Sequence, residues 1–298
     1  MRRALPYMLL AGAALFWAGN FTTARALRDA WPPLPLNLAR WLVALAVLLP
    51  FTAHTLRAHA ATLRRHLGWL AALALTGVVL FQTFLYQALA STTVVTASLI
   101  AANTPVAIAL GAWLAFGDRP TRRQALGIVV SLVGALIVVA RGDLQTLLGL
   151  RLTPGDLWML AAVPCWATYS LLLKRAPVGL PQVTVVVATS AIGALMLAPL
   201  AAWRLWVGDV VVLSTASVTG VLYIGVFAGA LAFVFWNRGV AAVGATRAGV
   251  FLHLMPLFAA LLGVTFLGER LAPHHLVGGA LVMTGLLLAS TGSRPRTG

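Results

Sequence analysis

Acidic side chains are nearly missing from this chain. Asp and Glu number six in 298 residues, against 21 Lys and Arg, and charged residues of both signs make up only 9%. A soluble domain usually carries about 25% charged residues, so a water-soluble globular class is excluded. The six are Asp29, Asp118, Asp143, Asp156, Asp209 and Glu269, all in connecting segments or at expected helix ends. No carboxylate falls where a helix would cross the middle of a bilayer, so neither a paired-carboxylate catalyst nor a carboxylate proton or sodium site is expected. Cysteine is also scarce. The single Cys165 permits no disulfide within the chain and no metal cluster, and its place mid-helix suits a small buried side chain. A Ser-centred nucleophile motif with a base is missing, as is any His/Glu metal spacing. The expectation is therefore no enzyme, no cofactor and no metal.

Apolar residues are abundant: 61% of the chain, with a mean hydropathy of +0.95. About 20 mostly apolar residues cross a hydrocarbon core. Ten such stretches stand out, roughly 5–27, 34–53, 67–89, 93–116, 124–140, 155–174, 182–203, 214–237, 243–267 and 275–291. The fold class read from them is an all-α integral membrane protein. A net charge of +15 invites a nucleic-acid reading, which requires the basic residues on one face of a folded domain. Here they sit at the ends of apolar stretches, and no nucleic-acid partner is expected. With the amino terminus in the cytoplasm, thirteen Lys and Arg fall on inner segments and five on outer ones. That bias places both termini and a polar 54–66 loop in the cytoplasm. Met1 to Ala26 has the look of a signal peptide, but it reads better as the first membrane helix, because the helix around Trp166 repeats it.

The chain is written twice. Pro105, Gly117, Asp118, Arg119, Gly127 and Gly134 recur 151 residues later as Pro256, Gly268, Glu269, Arg270, Gly278 and Gly285. Near the start of each half, Phe16-Trp17-Ala18 answers Cys165-Trp166-Ala167. The halves are 1–146 and 147–298, joined by a Gly- and Pro-bearing linker and forming one structural unit. Five helices per half is an odd number, so the second copy enters the membrane inverted, and inverted repeats place a substrate site where the copies meet. Gly127, Ser131 and Ala135 form a small-residue stripe at four-residue spacing. It serves internal packing or a homodimer contact, and packing is the plainer use.

Residues that could line a site follow from the same logic. Pro105 and Pro256 fall at matching positions near helix centres, where proline removes a donor and kinks the helix, so both are hinge or kink candidates. Asn103 lies two residues before the first proline and His253 three before the second. His253 suits proton handling or a neutral hydrogen bond. Trp17 and Asn20 share a helical face, as do Trp166 and Tyr169, Gln82 and Tyr86, and Phe233 and Trp236. Aromatic walls with a few amides would hold an aromatic side chain by stacking and an ammonium by cation–π contact. Trp31, Trp69, Trp203 and Trp206 read as headgroup-level anchors. Arg40 reads as structural, because the second half has no basic residue at the matching Thr189 to Ala191.

These features together resemble the drug/metabolite transporter superfamily, in its EamA-type branch. The most specific match is Pro105…Gly117-Asp118-Arg119…Gly127 with its twin Pro256…Gly268-Glu269-Arg270…Gly278, alongside Trp17 in the first helix and Arg40 in the second. The resemblance covers nearly the whole chain. It implies ten transmembrane helices as two inverted five-helix repeats, and a carrier in a bacterial inner membrane. Such carriers commonly export amino acids or other small metabolites, with aromatic-amino-acid exporters nearest in style. It also implies that the first, third, fourth, sixth, eighth and ninth helices line the cavity, with the fifth and tenth outside. A channel-like facilitator and an exporter of other metabolites or cationic drugs are the alternatives. Asp118 stands where the motif usually has Glu.

Overall fold

The computed structural model describes residues 4–117, 121–143, 152–173, 179–243 and 250–290, with the side chains of Phe116, Asn237, Val240, Ala241, Val243, Val250, His253, Ala289 and Ser290 outside that description. Asp118 and Arg119 of the first motif copy therefore lie outside the described residues, as do the cationic ends at 1–3, 174–175 and 291–298. Among the described residues every regular element is helical. That is what hydrocarbon permits an open chain, because a helix satisfies its own backbone groups.

The elements run α1 (Leu5–Ala26), α2 (Pro33–Ala58), α3 (Ala60–Arg65), α4 (Leu67–Leu73), a π-helical stretch Ala74–Leu80, α5 (Phe81–Ser91), α6 (Val94–Ala101), α7 (Thr104–Phe116) and α8 (Arg122–Val139). The second part holds α9 (Pro154–Leu173), α10 (Gln182–Trp206), α11 (Thr215–Tyr223), a second π-helical stretch Ile224–Leu231, α12 (Ala232–Val243), a 3-10 turn Val250–His253, α13 (Leu254–Leu267) and α14 (Pro273–Ser290). Seven helical runs are long and apolar enough to cross a membrane, and α13 and α14 are shorter apolar helices. The chain is thus a multi-pass membrane protein.

Two expectations need correction. The 54–66 segment is helical rather than a loop: α2 continues to Ala58 and α3 occupies Ala60–Arg65, broken only at His59 and His66. Ala, Leu and Arg are strong helix formers, and they outweigh the polarity that suggested a loop. The prolines do not bend continuous helices either. The fourth apolar stretch is cut between α6 and α7, and Pro105 sits in the first turn of α7. Pro256 sits in the first turn of α13, just after the 3-10 turn. Proline's missing N–H costs nothing in a first turn, so these residues start new helices.

Local chemistry fixes the other ends. Thr121 with Gln124, and Ser214 with Ser217, form capping boxes on α8 and α11. The Thr93 side chain caps α6 by accepting from the Thr96 N–H. Gly117 after α7 and Gly268 after α13 are left-handed, with φ of 73° and 65°, the conformation that ends a helix cheaply only at glycine.

The π stretches interrupt two helical runs at matching places, and each packs against a different partner. Gly193 of α10 lies against Val78 of the first; Gly225 and Gly229 of the second lie against Val43 and Ala44 of α2. Helices α8 and α14 run antiparallel and meet backbone to backbone. A Cβ on Gly134 would come 2.6 Å from the Gly278 carbonyl oxygen, and one on Gly285 would come 2.5 Å from that of Gly127. The small-residue stripe is therefore used inside the chain, against α14. Buried Leu85, Leu89, Ile100, Met159 and Ile224 belong to the main core, which fills the end of the bundle that carries the 91–94 connection.

Candidate functional site

A cavity of about 350 Å³ opens between the two parts of the chain. Its walls come from α1, α2, the first π stretch and α5, α6 and α7, α9, α10, α12, and the 3-10 turn with α13. None of its lining residues belongs to α8 or α14. The size falls at the low end of small-molecule pockets, about 300–1,000 Å³.

Two aromatic groups form opposite walls. In one, the Trp17 ring lies 5.7 Å from Phe233 and 5.6 Å from Trp236, and Trp41 lies 6.4 Å from Phe233. In the other, Phe81 and Trp166 are 4.6 Å apart and Trp166 stacks on Tyr169 at 4.9 Å. Tyr169 is drawn close because Gly77 leaves room for its ring. These edge and stacked arrangements are the ones ring quadrupoles favour.

Polar groups are few and mostly engaged. The Tyr86 hydroxyl donates to Asn20 Oδ1 at 2.9 Å. Asn37 Nδ2 donates to the Val78 carbonyl at 2.9 Å and to Thr83 Oγ1 at 2.9 Å, tying α2 to the first π stretch. Thr189 and Ser190 line the cavity but turn their hydroxyls back to the Val185 and Val186 carbonyls. Arg40 is 3% exposed and lines the cavity beside the Trp41 ring, its Cζ 4.4 Å from the ring centroid. Its one hydrogen bond among the described residues runs from Nη2 to the Ala228 carbonyl in the second π stretch, at 3.4 Å. Nε and Nη1 of Arg40, and Nε2 of Gln82, are buried donors without a partner.

The end bearing the 91–94 connection is closed by hydrogen bonds. Arg25 Nη1 donates to the Leu89 and Ala90 carbonyls at 2.7 and 2.8 Å. Glu269 accepts from the Val94 and Val95 N–H groups at 2.8 and 3.2 Å, so a carboxylate sits on the amino end of α6, where the helix dipole favours it. Thr92 donates to Asp156 at 2.6 Å, and His275 Nε2 lies 3.2 Å from Thr96 Oγ1. Three of these four polar bridges thus converge on the 92–96 segment from α9, α14 and the connection before α14.

Of the residues picked from the sequence, Trp17, Asn20, Gln82, Trp166, Tyr169, Trp236, Pro105 and Pro256 reach the cavity wall. Tyr86 and Asn103 do not. Tyr86 sits behind Asn20 where the cavity narrows toward the closed end. Asn103 is turned to α8, accepting from Ser131 Oγ at 2.8 Å and donating to the Leu99 carbonyl at 3.1 Å. The His253 side chain lies outside the described residues. Trp69, expected as a headgroup anchor, is only half-buried and bolts α4 to α9 through a 2.9 Å bond to the Leu172 carbonyl. Trp203 and Trp206 are exposed, at 55% and 84%. Sequence reasoning named Phe233 and read Arg40 of α2 as structural; it missed Trp41, Phe81 and the α10 wall. The signal available for Phe81 was its place one residue off the position that the repeat matches to Phe233.

Comparison with known proteins agrees with this architecture. The EamA-like transporter family matches at residues 4–140 and 153–291. A relative described as "Uncharacterized transporter YyaM", from Bacillus subtilis, is 26% identical over 95% of this chain and 93% of its own length. A "Probable terminal-alkyne amino-acid exporter" from Streptantibioticus cattleyicolor is 28% identical over 91% of this chain and 89% of its own. A solved crystal structure superposes with a TM-score of 0.63 at 19% identity, covering 97% of this chain and 98% of that one, and so shares the fold.

Proposed function

This chain belongs to the EamA-like transporter family, and we propose that it is a carrier exporting amino acids, aromatic ones favoured, or similar small metabolites by alternating access to the central cavity. The observation that carries this reading is the cavity itself: built from both parts of the chain, walled by two aromatic groups, and closed by hydrogen bonds at the end bearing the 91–94 connection. A substrate with a flat apolar side chain stacks between Trp17 and Trp166, and its ammonium faces aromatic rings that attract cations.

The finer architecture belongs to the same proposal. The chain comprises ten membrane helices in two inverted repeats, 1–146 and 147–298, in a bacterial inner membrane with both termini cytoplasmic. The two stretches matched by the family, the paired π stretches and the reciprocal glycines of α8 and α14 all support it. Under this topology the closed end faces outward and the cavity loads from the cytoplasm. Among the described residues no carboxylate lines it, so transport runs on the substrate gradient without a proton or sodium ion bound to Asp or Glu.

Proteoliposomes loaded with unlabelled L-phenylalanine test the reading. Labelled L-phenylalanine added outside should accumulate transiently by counterflow, with saturation and with no imposed pH gradient. Linear, non-saturating uptake indicates a pore instead. Flux that appears only with a proton gradient overturns the uncoupled mechanism.

A further inference from the structure

We propose that Arg40 is the carboxylate-binding residue of the cavity, so that substrates must carry a monoanionic carboxylate beside their apolar group. This deepens the transport reading above and rests on it.

Among the described residues, the buried side-chain nitrogens of the wall that lack a partner are Arg40 Nε and Nη1, Trp41 Nε1 and Gln82 Nε2, all of them donors. Asn20 adds to this bias. Tyr86 occupies its oxygen, so what it offers elsewhere is its amide NH2. Such a surface is matched by a ligand group that only accepts.

Charge argues the same way. The two ion pairs among the described residues are Arg28–Asp29 and Arg204–Asp209. Arg40 belongs to neither and lines a cavity whose described wall residues include no Asp or Glu. A buried, uncompensated guanidinium is costly. A merely structural arginine would be expected to satisfy more than one of its five donors, and here a single 3.4 Å bond to a carbonyl is made. The remaining fork suits a carboxylate in bidentate fashion. Among the described residues no second cation lines the cavity, which favours a monoanion over a phosphate dianion. Nε and Nη1 are covered in the empty state, so engagement requires the side chain to turn about its last torsions.

The absence of a basic residue at Thr189 to Ala191 suggested a structural role from sequence. Thr189 and Ser190 line the same cavity with back-bonded hydroxyls, so the matching side of the wall is neutral. One charged side and one neutral side would orient a substrate that is itself polar at one end.

The test uses the full-length protein in detergent and follows thermal unfolding with 3-phenylpropionate, its neutral amide, phenethylamine and phenyl phosphate. The carboxylate should raise the melting temperature where the amide, the amine and the phosphate at equal concentration do not. Arg40→Met should weaken carboxylate binding by roughly tenfold to a hundredfold, the range expected for one charged hydrogen-bonding partner. Arg40→Lys should retain part of it. Without ligand, Arg40→Met should melt at or above the parent temperature, since it removes an unpaired buried charge; a structural arginine would give the opposite. Equal shifts with carboxylate and amide, a stronger shift with the phosphate, no shift with any probe, or a destabilised Arg40→Met protein would each overturn the proposal. Counterflow of labelled L-phenylalanine separates the two readings. Carboxylate-selective binding without counterflow leaves the subsite and removes the carrier; counterflow unchanged in Arg40→Met leaves the carrier and removes the subsite.

Discussion

Trp17 and Trp69 are both indoles in a membrane bundle, yet their surroundings assign them different work. Trp17 faces the cavity, in edge contact with Phe233 and tilted against Trp236. Trp69 stands outside it with its N–H on the Leu172 carbonyl. At equal amounts of folded protein, Trp17→Ala should cut the initial counterflow rate by about tenfold or more, the loss of a stacking wall being worth about 0.5–1.5 kcal/mol beyond its buried area. Trp69→Phe should leave that rate near the parent value and lower stability by about 1 kcal/mol, the net value of one hydrogen bond. A defective Trp69→Phe beside an intact Trp17→Ala reverses the assignment. Tyr86→Phe should lower the melting temperature, because Asn20 Oδ1 then loses its donor in a dry setting. Trp17 and Trp166 were legible because each half announces its tryptophan in the same apolar context. Tyr86 and Asn103 were legible only as inward-facing. Helical spacing gives direction but not depth, and both point inward at levels where a neighbouring helix, rather than the cavity, receives them.

At the level of elements, most helices could be read from apolar runs and their interruptions, while the π stretches could not. A π turn shifts the hydrogen-bond partner by one residue and leaves no mark in composition; Ala74–Leu80 is as apolar as any helical turn. The break at Asn103 was misplaced for a related reason: proline signals a helix start as readily as a kink, and sequence alone does not choose. Two predictions belong here. Gly285→Val should destabilise the protein by about 1–3 kcal/mol, the usual cost of forcing atoms into a filled seam, since a Cβ there already meets the Gly127 carbonyl oxygen at 2.5 Å and Ser131 N at 2.5 Å. Thermal melts of the purified protein read this directly, and an unchanged melting point would mean the helices are not so closely held. Glu269→Gln should loosen the closed end. The carboxylate on the amino end of α6 contributes about 0.3–2 kcal/mol through the helix dipole, and the amide keeps one acceptor without the charge. In a Cys165→Ala background, a cysteine at buried Ala97 should then react faster with a small thiol reagent than in the Glu269 parent.

For the whole molecule, the inside-rich distribution of Lys and Arg makes one strong demand. A cysteine at exposed position 61, in the Cys165→Ala background, should resist an impermeant reagent applied to intact cells and react once the membrane is opened. Labelling from outside would invert the topology and turn the closed end toward the cytoplasm. The reciprocal glycines add a mechanical consequence. Because α8 and α14 meet through peptide planes with no side chain between them at Gly134 and Gly285, a slide of one residue would drive a larger side chain into the opposing backbone. The pair therefore behaves as a beam rather than as two parts in sliding contact. Spin labels at exposed Val129 and Val277 should keep a fixed separation throughout the transport cycle. Every other helix can then be surveyed from that line, which gives this protein a datum of its own for measuring which walls of the cavity travel and which stand still.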